Sequence, residues 1–189
     1  MDCTHIPEIS CFYSDTIASH ILNPSAHFEY EMILVTDGSA QVQIHDRTYP
    51  LQRGSLLFIS RLEQHQFCIV KEPYCRYVLS VSSDVLLSHL NEPRLASIFM
   101  QRPEYFSHVI QLNEEQLAYF LPFFQKSADE YEKQSDFYTL QSIALLLSVL
   151  ISLYRLYPNA FPMEDSSSLS AAVLNAQIYV SRHFNRKLT

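Results

Sequence analysis

The chain has 189 residues, of which 48% are hydrophobic and 13% are aromatic. This composition excludes an intrinsically disordered protein, and the length is sufficient for a domain with a core of its own. With 13 basic and 20 acidic residues, the net charge is −7. The chain as a whole therefore has no electrostatic attraction to nucleic-acid phosphates or to anionic lipid, and direct nucleic-acid binding by these residues is not expected.

The cysteines and the N-terminus indicate the cellular compartment. Cys3, Cys11, Cys68 and Cys75 form no Cys-x-x-Cys pair and have no histidine pair at zinc-site spacing. The first residues lack the charged and apolar segments of a signal peptide. We therefore expect a cytoplasmic protein with reduced thiols.

The first part of the chain has the alternation that is typical of β-strands. Residues 1 to about 16 are expected to form an arm and a first strand. From residue 17 to residue 82, apolar and polar side chains alternate with a period of two. Gly38 and Gly54, the only glycines, lie where tight turns are expected, because glycine accepts positive φ. About eight short strands at this spacing predict a β-barrel or a jelly roll.

A barrel of this kind offers a site for a small ligand. Aromatic walls with a few polar groups are typical of ligand pockets, whereas small barrels are also often filled by their own side chains. The residue pattern leaves both alternatives open. An arm that contains Ile6, Ile9 and Phe12 could close over such a pocket or fray into solvent. The candidate ligand-binding residues are Tyr13, His27, Tyr30, Glu31, Tyr49, His65 and Tyr77.

After Ser82 the pattern becomes that of helices. Ser83 is placed to cap a first helix, and Asn113 with Gln116 forms a sequence like a capping box at the start of a second. Pro122 falls inside this second helix, so a kink or a break is expected there.

A third, longer helix is expected to begin at Ser135 or Asp136 and to end at Tyr157. Its apolar residues cover nearly the whole circumference, so a barrel on one side leaves the other side for a second helix or a second subunit. Polar residues within it and the lack of flanking Lys or Arg clusters argue against a membrane span. We expect a homodimer whose interface includes Leu117, Phe120, Phe124, Leu146, Leu147, Leu150 and Tyr154.

The last part of the chain changes character again. Residues 158–170 combine prolines, an acidic pair and a serine run, which predicts a linker. A new amphipathic helix is expected from about residue 171, and a single helix of this length is marginal without a partner. We interpret residues 171–189 as the start of a further domain.

Residues 27–38 resemble the first sequence motif of the cupin superfamily. That motif has two histidines and a glutamate before a glycine. His27, Glu31 and Gly38 match it, and Glu29 stands in the place of the second histidine.

Residues 54–65 resemble the second cupin motif, which has a glycine, a proline, another glycine and a histidine. Gly54 and His65 match, whereas Ser60 and Leu62 replace the proline and the second glycine. The resemblance covers roughly residues 20 to 80 and implies a cupin-like fold for that part of the chain.

Taken whole, the chain resembles the N-terminal half of an AraC-type transcription regulator. That family joins a cupin-like effector domain, a helical dimerisation segment and a linker to a DNA-binding domain with two helix-turn-helix motifs. Residues 176–184, followed by Leu188 and Thr189, resemble the first helix of that DNA-binding domain. The resemblance implies an α+β protein with an arm and cupin-like barrel over 1–82, a helical dimerisation segment over 83–157, a linker over 158–170 and a truncated DNA-binding domain over 171–189.

The same resemblance implies a function. A small molecule bound in the barrel of a homodimer would control DNA binding by the C-terminal domain, without a cofactor and without catalysis. No nucleophile elbow, phosphate-binding glycine loop or cysteine dyad is present in the sequence.

Two alternatives from other classes stay open. The first is a metal-dependent cupin enzyme, because His27, Glu31 and His65 offer two imidazoles and a carboxylate, a set suited to iron. The family mostly binds organic effectors without metal, so metal is not the expectation here. The second alternative is a plain dimerisation module with a filled barrel.

Overall fold

The computed structural model of the protein describes residues 8–16, 21–90 and 92–162. The arm residue Ile6, most of the predicted linker and the predicted helix over 171–189 lie outside the described residues. The elements in chain order are β1 (Ile9–Thr16), β2 (Tyr30–Ile44), β3 (Arg47–Gln52), β4 (Ser55–Ile59), β5 (His65–Val81), α1 (Ser83–His89), α2 (Pro93–Met100), β6 (Val109–Gln111), α3 (Glu114–Lys133) and α4 (Tyr138–Leu156), followed by a single 3-10 turn over Pro158–Ala160.

The six strands form one antiparallel sheet with the order β1-β5-β2-β4-β6, and β3 pairs with β2 outside this path. The first half of β2 pairs with β4 and its second half with β3, so the sheet divides instead of rolling into a ring. Among the described strands, no pairing joins the edges β1 and β6, and the sheet is not closed. The predicted α+β class is confirmed, and the sheet is an open one.

Two long strands explain why six strands are found where about eight were expected. The predicted turn at Gly38 is an irregularity within the continuous strand β2, which pairs over most of its length with the equally continuous β5. Gly38 has a φ of +70°, and a Cβ there would overlap the carbonyl oxygens of Pro73 and Lys71. Glycine is therefore required at this point because the two backbones approach too closely for a side chain.

The sheet separates two buried clusters, since successive side chains of a strand point to opposite faces. On β2, Met32 and Leu34 pack beneath the helices, in a cluster that we call the helix-side core. Ile33 and Val35 point to the concave face, in a cluster that we call the inner core. The inner core is filled mainly by aliphatic side chains: Ile33, Val35, Ala40, Val42, Ile44, Leu51, Leu57, Ile59, Ile69, Tyr74 and Val78.

The helices begin close to the predicted residues. Ser82 and not Ser83 caps α1, with its hydroxyl accepting from the backbone N–H of Val85. The predicted capping box at the start of α3 is formed by Asn113 and Gln116. Pro122 lies inside α3, which continues through it as one helix.

Helix α4 packs against α3 and β1 through one face, and its other face is not covered by any of the residues that the structure describes. Ile143, Leu150 and Leu153 are buried, whereas Leu140 and Ile151 are exposed. By length and composition α4 could cross a membrane, but its most apolar window is 39% buried in the structure. This burial is typical of a core helix with one free face.

Candidate functional site

Three polar side chains meet at the rim of the inner core. Glu31 lies on β2 and has the parity of Ile33, so its carboxylate points to the concave face. His65 opens β5, and its backbone is bonded to Ser25 in the segment before β2. With His27 from that segment, the nitrogen and carboxylate atoms of the three side chains lie within 4.8 Å of one another. We call His27, Glu31 and His65 the rim cluster.

Backbone carbonyls fix the orientation of both rim imidazoles. His27 Nδ1 lies 3.0 Å from the carbonyl oxygen of Glu29, and His65 Nδ1 lies 2.9 Å from that of Glu63. A carbonyl only accepts, so each Nδ1 carries the proton and each neutral ring keeps its lone pair on Nε2. The Ser25 hydroxyl donates to His65 Nε2 over 2.8 Å.

The other Nε2 of the rim cluster is not satisfied by hydrogen bonds. His27 Nε2 is buried without a hydrogen-bond partner among the described residues, although Glu31 Oε2 lies 3.2 Å away. A lone pair facing a carboxylate at this distance is unfavourable. The pair becomes favourable when Nε2 gains a proton, or when a cation or a donor of a ligand lies between the two atoms.

The electrostatics of the rim cluster agree with this geometry. The neighbouring Glu31 carboxylate raises the pKa of His27 above its usual value. Burial raises the pKa of Glu31, but the contacts with His27 and the Ser80 hydroxyl outweigh it and lower that pKa overall. Burial lowers the pKa of His65. The pKa values of the two imidazoles are therefore shifted in opposite directions.

The rim cluster has the chemistry of a divalent metal site as well as that of a polar ligand site. Two imidazoles and one carboxylate suit iron or zinc. Carbonyls that accept from Nδ1 are the outer partners that orient metal-binding histidines. The unpartnered His27 Nε2 fits a metal ion, although the Ser25 hydroxyl already occupies His65 Nε2.

A second polar cluster lies beside the first and was not found by sequence reasoning. The buried Glu63 carboxylate accepts from Arg102 Nε at 3.0 Å, from His108 Nε2 at 2.9 Å and from the backbone N–H of Ser60 at 2.7 Å. The Tyr49 hydroxyl lies 3.0 Å from His108 Nδ1. We call Glu63, Arg102 and His108 the Glu63 cluster; it ties the loop after α2 to the loop between β4 and β5.

The Glu63 cluster is satisfied by its own members. Burial alone raises the pKa of Glu63, but the bonds from His108 and Arg102 overcome it and lower that pKa to about 2. The only sequence signal was the position of Glu63 two residues before His65. Arg102 and His108 follow much later in the chain, so no local pattern connects them with Glu63.

The four tyrosines expected in a ligand pocket do not join the rim cluster. Tyr30 is buried on the helix side, where its ring centroid lies 5.8 Å from that of Phe99. Tyr13 and Tyr77 also point to the helix side, with ring centroids 5.2 Å apart. Tyr49 lies on the concave face against the Glu63 cluster. Strand parity separates these residues because Tyr30 precedes Glu31 by one position.

Two cavities correspond to these two groups. A cleft of about 690 Å³ between β1, β5 and α3 contains Tyr13 and Tyr77. A smaller cavity of about 150 Å³ has His65 as its single member of the rim cluster and is lined by Pro24, Gln43, His45, Gln64, His65 and Gln66. Tyr13 and Tyr77 therefore line a cleft on the helix side of the sheet, apart from the rim cluster.

Most of the side chains expected in a dimer interface are covered within the chain. They belong to the faces of α3 and α4 that pack on the sheet and on each other, so they offer no free surface. The residues buried in this way are Leu117, Phe120, Phe124, Leu146 and Leu150, whereas Leu147 and Tyr154 stay partly exposed.

Comparisons with known proteins address the fold and the family. The sequence model described as AraC-like ligand binding domain matches residues 7–150. None of the curated protein sequences compared with the chain matches it. The solved structure of apo ToxT K231A from Vibrio cholerae strain SCE256 is similar over 97% of this chain and 68% of its own, with 8% identity and a TM-score of 0.54.

A barrel protein of the cupin superfamily is similar over a shorter stretch. The Cupin 2 conserved barrel domain protein from Salinispora arenicola CNS-205 matches 44% of this chain and 71% of its own, with 14% identity and a TM-score of 0.37. At these identities the likeness to solved structures concerns the fold alone. The family match is of another kind, because it covers most of the chain, including the rim cluster and α3. It confirms the resemblance first read from the motifs, and the chain belongs to the family of AraC-like ligand-binding domains.

Proposed function

We propose that this domain is the effector-sensing and dimerising part of an AraC-type transcription regulator, and that a small polar molecule binds at the rim cluster. The unsatisfied His27 Nε2 beside the Glu31 carboxylate is the observation that carries the proposal. A buried polar atom without a partner costs about 1 to 3 kcal/mol, so a ligand that supplies the missing donor stabilises the site.

The chemistry of the rim cluster defines the effector that it suits. Glu31 and His27 Nε2 accept hydrogen bonds, so a hydroxyl or ammonium group of the ligand donates to them, whereas His65 Nε2 already accepts from the Ser25 hydroxyl. The adjoining cavity has amide side chains from Gln43, Gln64 and Gln66, which both donate and accept. A compact effector that carries several hydrogen-bonding groups fits this lining better than an apolar one.

Binding of the effector would change the position of the segment before β2, which contains His27 and is bonded to the start of β5. A ligand shifts an equilibrium only by its difference in affinity between two arrangements, so the effector must favour one position of the segment that contains His27. The DNA contacts are assigned to residues beyond the described ones, in agreement with the net charge of −7.

A thermal-shift screen with small polar metabolites tests the effector site. We expect compounds that raise the melting temperature of the wild type but have no effect on Glu31→Gln or His65→Ala. His89→Ala is the matched control, since His89 is exposed on α1 and distant in sequence from the rim cluster. Ligands that stabilise the rim variants as much as the control would refute the site.

Dimerisation is proposed for the free face of α4. Leu140, Leu147 and Ile151 follow a helical spacing, and Leu140 is 57% and Ile151 38% exposed. We expect Leu147→Glu with Ile151→Glu to convert a dimer to a monomer in sedimentation at micromolar concentration. Val70→Glu, at an exposed valine of β5, is the control that should stay dimeric. A wild-type monomer would contradict this part of the proposal.

A metal-binding function is the second candidate, because the carbonyl bonds to both Nδ1 atoms direct each Nε2 lone pair away from the backbone, and an ion would displace the Ser25 hydroxyl from His65 Nε2. His27, Glu31 and His65 would hold the ion, which would supply Lewis acidity to a bound molecule. Elemental analysis of the purified protein decides between the two functions. Stoichiometric zinc or iron, absent from His27→Ala and His65→Ala, supports the metal; a metal-free protein that still binds a rim ligand supports the effector.

A further inference from the structure

A cleft on the helix side of the sheet has the features of a second ligand site. It lies between β1, β5 and the C-terminal half of α3 and has a volume of about 690 Å³. It is separated from the rim cluster by the sheet, because Tyr77 points to the helix side whereas Glu31 points to the concave face. Its lining consists of Cys11, Phe12, Tyr13, Tyr77, Gln125, Ala128, Asp129, Tyr131 and Glu132.

Aromatic rings form the walls of this cleft. The rings of Tyr13 and Tyr77 lie 5.2 Å apart, centre to centre, and are inclined by 58°. Tyr131 of α3 supplies a third ring, and Phe12 a fourth. Tyr13 is 50% exposed and Phe12 45%, so these two rings are not buried in the core and can contact a ligand. Ring faces that are open to a cleft attract a cation through the electron density of the ring.

The charge around the cleft is negative. Asp129 and Glu132 line it, and among its described lining residues none is basic. The last turns of α3 add the negative end of a helix dipole. Lys133 reaches Asp129 at 3.5 Å from outside the lining, but this pair is exposed on both sides and contributes little. A positively charged ligand is therefore favoured over a neutral one of the same shape.

We propose that this cleft binds an organic cation whose charge is carried by a quaternary, trimethylated ammonium group. Such a group has no N–H to donate, so it gains from ring faces and nearby carboxylates without needing converging acceptors. Asp129 and Glu132 are solvated, and a weakly hydrated cation approaches them without the desolvation cost of a primary amine. The site goes beyond the rim effector site and does not depend on it.

Occupation of the cleft would add a link between β1 and α3, which are already joined by packing and by the hydrogen bond from the Cys11 thiol to the carbonyl oxygen of Phe124 at 3.5 Å. β1 supplies Phe12 and Tyr13, and α3 supplies Tyr131, so the cation would bridge the first strand and the helix that packs against α4. The ligand would therefore stabilise the docking of α3 on the sheet.

Calorimetric titration with choline and with its uncharged isostere 3,3-dimethylbutan-1-ol tests the proposal. We expect choline to bind at least about tenfold more tightly than the isostere, since the two differ only in charge. Tyr13→Leu and Tyr131→Leu should each weaken choline binding about fivefold or more, and Asp129→Asn with Glu132→Gln should reduce the preference for the cation.

The controls separate this site from other surfaces. Tyr105→Leu removes an exposed tyrosine outside the cleft and should bind choline as the wild type does. His65→Ala should leave choline binding unchanged, which distinguishes this site from the rim cluster. Equal affinity for choline and the isostere, unchanged binding in the Tyr13 and Tyr131 variants, or no binding at about 10 mM choline would overturn the proposal.

Discussion

The rim cluster and the Glu63 cluster lie side by side and differ in one respect. Both combine a buried carboxylate with histidine, and the backbone carbonyl of Glu63 even accepts from His65 Nδ1. The Glu63 carboxylate has an arginine, an imidazole and a backbone N–H as donors. The rim cluster contains no arginine or lysine, and His27 Nε2 is without a hydrogen bond among the described residues.

This difference separates a satisfied structural network from the cluster where we propose that a ligand binds. Buried polar groups in folded proteins are almost always satisfied, and a complete network makes its surroundings rigid. A buried network with an unpaired polar group is expected where a ligand supplies the missing hydrogen bond. Composition alone does not distinguish the two clusters, whereas their hydrogen bonds do.

Removing the charge of Glu63 should have the largest effect on stability and therefore tests the difference between the two clusters most strongly. Glu63→Gln leaves Arg102 and His108 without their anion, so we expect a loss of about 3 kcal/mol in the free energy of unfolding. Glu31→Gln should change that free energy by less than about 1 kcal/mol, because no permanent cation depends on it. Urea unfolding at pH 7 measures both. Equal losses in the two variants would show that the clusters have the same role.

Lowering the pH should have a smaller effect on the free energy of unfolding, because it protonates Glu63 without changing the residue. The pKa of Glu63 is lowered from 4.5 to about 2 in the folded state, so its stabilisation is present above pH 4.5 and is lost as the pH falls toward 2. We expect the wild type to lose about 2 kcal/mol more than Glu63→Gln over this range. Unfolding midpoints at successive pH values measure the difference. Parallel pH profiles for the two proteins would contradict it.

The smallest expected effect is a loss of stability as the pH rises near neutrality, which is opposite in direction to the effect of Glu63. The pKa of His27 is raised above 6.5, so its stabilisation is present below pH 6.5 and is lost as the pH rises through the raised value. We expect a loss of less than about 1 kcal/mol in the wild type. Glu31→Gln should remove this loss, because Glu31 is the main cause of the raised pKa. NMR titration of the His27 imidazole measures the pKa directly, and an ordinary value in the wild type would refute the pairing.

The sequence indicated the rim cluster but not its neighbour, and the reason is physical. His27, Glu31 and His65 occupy positions that two short motifs mark, so spacing was sufficient to bring them together. The Glu63 cluster joins residues 39 and 45 positions apart, and such contacts leave no periodic signal.

Local chemistry predicted the starts of elements better than their continuity. The capping box of Asn113 followed from the residues themselves, since it needs only four consecutive positions. The continuity of β2 through Gly38 did not follow, because a glycine between two alternating runs fits a turn and a bulge equally well. The choice between them is made by β5, which pairs with both halves of β2.

The alternation along β2 has a consequence for how the molecule comes apart. Met32 and Leu34 belong to the helix-side core, and Ile33 and Val35 between them belong to the inner core. A shift of the strand by one residue would exchange the two sets, so neither cluster can rearrange alone. The two clusters should therefore melt as one cooperative unit, with the slowest amide hydrogen exchange along the paired centre of β2 and β5.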